Sequence, residues 1–306
     1  MLIMILIVGT PEDMPSALIH HKIVQRGERA CFFDTTRFPR DIQLSFDPDD
    51  LATGFMTISG LDEIALKEIR SVYRRWSRGV LAPPETDPVL QEAVYWNLES
   101  AIGSFFRCFD CLWINRQEAT EMHKYKGYQL KLLKQAGIRV PDTLITNNPE
   151  QLRAFYEQQG KQVIYKPVRG WAHTEMLTEA DFSPERLEGL AYSPVKLQEF
   201  VPGTDIRAYV LGDEIYAMEI QSNTLDFRED QNAPRVKIDL PAAVAEDCLK
   251  LARTLDLVFT GIDLRRTPEQ EYVFFEGNPT PVFVYDEEVT GYPISDRLVD
   301  RLIQGV

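Results

Sequence analysis

Val258-Phe259-Thr260-Gly261-Ile262-Asp263-Leu264-Arg265, followed after six residues by Tyr272-Val273-Phe274-Phe275-Glu276-Gly277-Asn278-Pro279, decides the reading of this chain. Both segments are rich in β-branched and aromatic residues, which predicts antiparallel strands over 258–265 and 272–275. With a turn at 267–270, Arg266 faces Glu271 and Asp263 faces Phe274. Glu276 then lies diagonally from Asp263 on the same sheet face, about 7–8 Å away. Asn278 follows on that face because strand side chains alternate. Two carboxylates and an amide converge. They are hard oxygen ligands that leave coordination positions for water and phosphate, as magnesium sites in phosphoryl transfer do. The plainer reading is an exposed hairpin with a polar outer face. Against it, Val258, Phe259, Ile262, Leu264, Val273, Phe274 and Phe275 make both strands read as buried, where a carboxylate without a counter-charge is costly.

Working outward, the chain supplies cations that would meet a polyphosphate. Lys166 ends a predicted strand over 162–167, and Lys126 falls in a helix predicted over 118–135. In Asp205-Ile206-Arg207, alternation puts Asp205, Arg207 and Tyr209 on one face of a strand over 206–211, paired through a Gly212-Asp213 turn with a strand over 215–221. Arginine offers a fixed fork suited to phosphoryl or carboxylate groups. Glu199, followed by Phe200-Val201-Pro202-Gly203, ends a strand over 195–200 with an acid and exposed backbone that can hydrogen-bond a base edge and a ribose hydroxyl. Lys237, in Arg235-Val236-Lys237, reads first as a solvated cation.

The fold class is α/β, turning to α+β in the C-terminal part. A buried strand over 2–8, a helix over 15–25 and a strand over 29–34 form a βαβ unit. A helix carrying Leu90, Val94, Leu98, Ile102 and Phe106 follows a proline-rich loop at 80–88. We divide the chain into domains 1–113, 114–199 and 200–306, with helices over 241–256 and 294–303. No G-x-G-x-x-G follows the first strand, and there is no P-loop, H-E-x-x-H or G-x-S-x-G. Cys108-Phe109-Asp110-Cys111 is a lone C-x-x-C, read as packing cysteines. The formal charge of −14, from 47 acids and 33 bases, repels nucleic-acid backbones. Four cysteines are no disulfide framework and point to the cytoplasm. The longest apolar run, 2–8, is far short of the roughly 18 residues that cross a bilayer, and it lacks the flanks of a secretory signal. Neither a nucleic acid nor a membrane is an expected partner.

Two lysines, a strand-end acid, an arginine and a D…E-x-N hairpin, in that order, resemble an ATP-grasp ligase from Asn115 to the C-terminus. Asp205-Ile206-Arg207 with the Gly212-Asp213 hairpin is similar to the RimK-type branch. In the first third, Phe33-Asp34-Thr35-Thr36-Arg37-Phe38-Pro39, Val72-Tyr73-Arg74-Arg75-Trp76 and Trp113-Ile114-Asn115-Arg116 resemble the MvdD-like pre-ATP-grasp domain of microviridin-type, or graspetide, peptide ligases. Asp226-Phe227-Arg228 is similar to a D-aromatic-R element of that group. The resemblance implies a two-lobed ATP-grasp fold with ATP between the lobes, and a carboxylate activated as an acyl phosphate. It further implies side-chain ester or amide crosslinks in a ribosomal precursor peptide. The alternatives are a RimK-like ligase of an amino acid, dipeptide or protein tail, and a non-catalytic nucleotide-binding partner.

By the same resemblance, Asp263, Glu276 and Asn278 hold one or two Mg2+ ions, with Mn2+ an allowed substitute. Lys126 and Lys166 take the α- and β-phosphates, with Lys237 near the γ-phosphate. Glu199, the Val201 backbone and Asp205 bind the nucleotide, Arg207 steadies the transferred phosphoryl group, and Asp226 and Arg228 lie on the acceptor side. Relatives imply a homodimer or higher homo-oligomer. Two departures stand out. Thr280-Pro281-Val282-Phe283 replaces the usual Gly-Gln-aromatic stretch, and the loop 168–174 holds only Gly170.

Overall fold

The apolar run near the amino terminus forms strand β1 (Met4–Val8), every residue of it buried. The computed structural model describes residues 3–75, 79–84, 87–169, 173–230 and 232–305. Leu2, Trp76 and Gly170, each part of an expectation above, lie outside the described residues. Helix α1 (Met14–Gln25) is capped by Asp13, whose carboxylate accepts from the Ser16 amide and hydroxyl at 3.0 and 2.6 Å. β2 (Arg29–Phe33) then runs parallel to β1, completing the expected βαβ unit. An antiparallel meander of β3 (Ile42–Asp47), β4 (Asp50–Ile58) and β5 (Ile64–Ala65) intervenes. β6 (Ile69–Arg74) joins the other side of β1. After helix α2 (Pro88–Cys108), β7 (Leu112–Ile114) completes a parallel sheet in the order β2-β1-β6-β7. The continuous apolar character of β1 fits a central parallel strand covered on both faces.

Helix α2 forms as its pattern predicts, yet only its last turns, at Ile102, Phe105 and Phe106, are buried, while Val89, Leu90 and Trp96 are exposed. A four-residue spacing advances about 40° per step on a 3.6-residue helix, so the stripe winds off the core. Cys111 packs against this core, and burial pushes its thiol up to about 11, as befits a packing cysteine.

The helix expected over 118–135 is two: α3 (Gln117–Met122) and α4 (Lys126–Gln135). Tertiary bonds account for the break. Gln129 reaches the Gly277 backbone in both directions, at 3.0 and 3.1 Å, which fixes α4 independently and leaves Lys126 in its first turn. A small antiparallel sheet follows, from β8 (Thr143–Thr146), β9 (Val163–Pro167), β10 (Glu175–Met176) and β11 (Val195–Glu199), in the order β10-β9-β11-β8. Helices α5 (Pro149–Gln158) and α6 (Pro184–Glu188) lie between these strands in sequence.

The larger sheet contains β12 (Thr204–Leu211), β13 (Glu214–Ile220), β14 (Arg235–Ile238), β15 (Phe259–Arg266) and β16 (Tyr272–Asn278), in the order β14-β13-β12-β15-β16. Gly212, at φ 60, makes the tight turn between β12 and β13. Helix α7 (Ala242–Thr254) covers one face of this sheet through Cys248, Leu251 and Ala252. The chain ends in α8 (Val284–Thr290) and α9 (Ile294–Gln304).

Contacts group residues 1–117 with 282–306 as one compact unit, and 118–281 as the other. Helix α9 belongs to the first because its apolar face, Ile294, Leu298, Val299 and Leu302, is buried there. The Leu302 carbonyl accepts from the Ser71 hydroxyl at 2.7 Å. Among the described residues no helix is long and apolar enough to cross a membrane.

Candidate active site

The β15–β16 hairpin forms as expected but in a different register. Arg266 pairs with Tyr272 across a loop of 267–271, one residue longer than anticipated, with Gln270 at φ 64. Leu264 therefore faces Phe274. The register then shifts again at Phe275, an extra residue that puts Asp263 directly opposite Glu276 and Gly261 opposite Asn278. The diagonal placement of the two acids is thus corrected to a direct one, about 4.5–5.5 Å between Cβ atoms. The shared face survives because the longer loop and the bulge each shift the pairing by one residue in the same direction, and the total of two is the period at which strand side chains repeat.

β12 brings the cations to that face. Arg207 is opposite Asp263, and its Nε lies 2.7 Å from Asp263 Oδ1. A Cβ on Gly261 would stand 3.0 Å from Arg207 Nη1, so glycine there leaves room for the guanidinium. Two residues along, Asp205 faces Arg265, whose Nε and Nη2 donate to its Oδ1 at 2.9 and 2.7 Å while Nη1 donates to the Val201 carbonyl at 2.9 Å. Lys126, from α4, is ion-paired with Glu276. Burial would raise the Glu276 carboxyl, but Lys126 and the nearby His123 and Lys166 hold it below its ordinary value. Asp263 goes the other way. Burial, reinforced by the charge of Glu276, raises it despite Arg207.

These residues line a cleft within the second unit, shared by the two sheets. Of the residues expected from sequence, Lys126, Lys166, Val201, Asp205, Arg207, Asp226, Arg228, Asp263, Glu276 and Asn278 all border it. Two do not. Glu199 lies just before Phe200 and Val201, which do border the cleft, and its amide donates to the Asp142 carbonyl at 3.0 Å. Lys237 sits on β14, opposite Met218, and is exposed.

Asp226 is held by Arg228, whose Nε donates to it at 2.7 Å, and by the Thr174 amide and hydroxyl at 3.2 and 3.3 Å. These contacts overcome its burial and keep the carboxyl well below the usual range. Asn278 Oδ1 accepts from the Thr280 amide at 2.9 Å. Among the described residues no cluster of three His, Cys, Asp or Glu groups forms, so the candidate metal donors remain two carboxylates and an amide.

Sequence reasoning missed Lys196, Thr174 and Arg265 and quoted Phe200 and Phe227 only as parts of motifs; all five border the cleft. Lys196 left one signal. It is a lysine among apolar residues, two positions before Gln198, on a strand whose neighbours are buried. Burial lowers the Lys166 ammonium, and the charge of Lys126 adds to this while Glu276 opposes it.

A family model described as RimK-like ATP-grasp domain matches residues 123–302, and one described as MvdD pre-ATP grasp domain matches 4–121. The α-aminoadipate–LysW ligase LysX of Sulfurisphaera tokodaii is 28% identical over 191 residues, which are 58% of this chain and 66% of that protein, just under two thirds of its length. The macrocyclase MdnC of Microcystis aeruginosa, solved with its precursor peptide MdnA, superposes with TM-score 0.85 at 25% identity, covering 98% of this chain and 99% of MdnC. The ATP-grasp ligase PsnB, solved with a minimal precursor, Mg and ADP, gives 0.83 at 27% identity, covering 98% and 97%. With more than half of its length matched by the first family model, the chain belongs to the RimK-like ATP-grasp ligases and carries an MvdD-type pre-ATP-grasp domain at its amino-terminal end.

Proposed function

We propose that this ligase uses ATP to activate a carboxylate of a ribosomal precursor peptide, then joins it to a side-chain amine or hydroxyl of that peptide as an amide or ester. The observation that carries this reading is the pairing inside one cleft of Asp263, opposite Glu276, with Arg207 and Lys126. Acids and cations at that spacing suit a metal–polyphosphate, whose charges have the same two signs. Support for the peptide comes from MdnC and PsnB, both solved with precursor peptides and both alike over nearly the whole chain.

The donor set fits magnesium. Two facing carboxylates repel each other, Asp263 is held up in pKa by burial, and Asn278 adds a neutral oxygen. One or two Mg2+ ions, or Mn2+ in their place, held by Asp263, Glu276 and Asn278 would offset the charge that develops on the phosphates. Lys126 and Lys166 hold the α- and β-phosphates, which frees Glu276 from its present partner. Phe200 and the Val201 backbone take the adenine, and Asp205, fixed by Arg265, takes the ribose side.

Arg207 steadies the phosphoryl group as a substrate carboxylate oxygen attacks the γ-phosphorus and ADP leaves. The acyl phosphate so formed has a good leaving group, and the amine or hydroxyl displaces phosphate from it. Positioning and charge neutralisation are the protein's share of this chemistry. Asp226 and Arg228 are placed on the acceptor side. Glu199 keeps its expected part in binding the nucleotide, and Lys237 its expected place near the γ-phosphate, although neither borders the cleft itself. The ligase acts as a homodimer or higher homo-oligomer in this reading, for which the exposed Val89, Leu90 and Trp96 of α2 offer an apolar face.

Transfer of a free amino acid to a protein tail is the second reading. It is supported by LysX, though that likeness covers 58% of the chain against 98% for the macrocyclases. Mass spectrometry separates the two. Incubation with ATP, magnesium and a precursor peptide rich in Thr, Ser, Lys, Asp and Glu is expected to remove one water per crosslink. A gain of one amino-acid residue mass on a protein tail, with no dehydration of any peptide, would overturn the first reading.

A further inference from the structure

Among the described residues, six cationic side chains and four carboxylates line the cleft, a surplus of two positive charges on a chain of formal charge −14. Each acid is matched to one cation: Glu276 to Lys126, Asp263 to Arg207, Asp226 to Arg228 and Asp205 to Arg265. The surplus is therefore Lys166 and Lys196, which face each other across β9 and β11. Directly opposed residues of an antiparallel pair share a sheet face, so two ammonium-bearing chains stand side by side.

Lys196 is the less expected of the two. It is 4% exposed, and the other face of its strand, through Val195 and Leu197, packs into the core of the small sheet. Among the described residues its ammonium has neither a hydrogen bond nor an ion pair. Burial first, then Lys166 and Lys126, lower its pKa to about 7, with Glu276 opposing. A buried cation lacking a counter-charge is costly, and an apolar residue of the same length would fill the space without that cost. An anion arriving at the cleft turns the liability into an attraction.

Building on the ATP reading above, we propose that Lys196 is a third phosphate-binding lysine, which grips the nucleotide's phosphate chain beside Lys166. An ammonium is a compact charge with three donors, suited to phosphate oxygens without demanding one geometry. Two adjacent ammonium groups favour an anion of more than one charge, so the effect falls on ADP and ATP and spares the adenosine moiety.

Calorimetric titration of the full chain with adenosine, magnesium-ADP and magnesium-ATP tests this. Lys196→Met is expected to bind ADP and ATP on the order of 10- to 100-fold more weakly, the range of a lost charge-assisted contact, with adenosine binding unchanged. Lys196→Arg is expected to stay within about threefold of the parent. The nucleotide-free Lys196→Met protein is expected to melt no lower than the parent. Equal ADP affinity in parent and Lys196→Met would overturn the proposal, as would an equal loss for adenosine, which signals a deformed cleft. If the parent binds neither ADP nor ATP, the ATP reading itself fails and takes this inference with it. Should Lys196→Met fail to fold, Lys196→Gln carries the same expectations.

Discussion

Two strand pairs of the second unit make the same unfavourable choice with opposite sign. β15 and β16 set Asp263 against Glu276, and β9 and β11 set Lys166 against Lys196. Like charges directly across a sheet destabilise it. The pairs differ in how the repulsion is offset. Each acid is neutralised by a cation from another element, Arg207 of β12 or Lys126 of α4. Among the described residues the lysines border the same cleft without such partners, and burial lowers their pKa instead. The acidic side is thus balanced within the protein, whereas the basic side is balanced by what enters the cleft. A ligand of both signs, a metal with a polyphosphate, relieves both pairs at once.

The comparison breaks most visibly at the acids. Glu276→Gln keeps the side-chain volume but removes a metal ligand and the partner of Lys126. ATP turnover is expected to fall at least about 1000-fold, since the metal's charge stabilisation amounts to several kcal/mol. Denaturant unfolding is expected to show a loss of about 1–3 kcal/mol from the stranded ammonium. Near-parental turnover in a folded protein would sink the metal assignment. Next in size, Arg207→Ala is expected to lower product formation about 100-fold while nucleotide affinity changes by less than about tenfold, because its contribution falls on the transferring group. Equal losses in both quantities would place Arg207 on nucleotide binding instead.

Most of the architecture was readable from the residues. Strands β9, β11, β12, β13, β15 and β16, and helices α7 and α9, follow hydrophobic patterns that local sequence carries, whereas β8, β10, β14, α5, α6 and α8 were not anticipated. What stayed hidden was set at a distance. The bulge at Phe275 and the five-residue loop before it have no local marker, yet together they decide that Asp263 meets Glu276 head-on. The break between α3 and α4 comes from Gln129 binding the Gly277 backbone, about 150 residues away in sequence. At the site, the acids and Arg207 were legible because polar residues interrupt apolar strands there. Lys196 was not, because its meaning depends on Lys166 in the strand beside it. Glu199 shows the converse. It ends the right strand, but it is the next two residues that border the cleft.

The smallest effect sharpens the contrast further, because it needs no ligand. Lys196 has a pKa of about 7 in the folded chain, below the ordinary lysine value it regains on unfolding. Between those two values the unfolded chain holds a proton that the folded chain has released. Stability therefore rises with pH across that window, by at most about 1.4 kcal/mol per pH unit for one proton. Lys166, lowered in the same direction, adds to the slope. Glu276, held below its ordinary value, titrates on the acid side and contributes nothing above neutrality. Unfolding of the nucleotide-free protein between pH 7 and pH 10 is thus expected to show a rising stability that flattens in Lys196→Met. The variant cancels every group that titrates alike in both proteins, so the difference isolates this one ammonium. Parallel curves for the two proteins would mean that Lys196 keeps its proton in the folded state and has found a counter-charge within the chain. The basic strand pair would then be balanced internally, as the acidic one is.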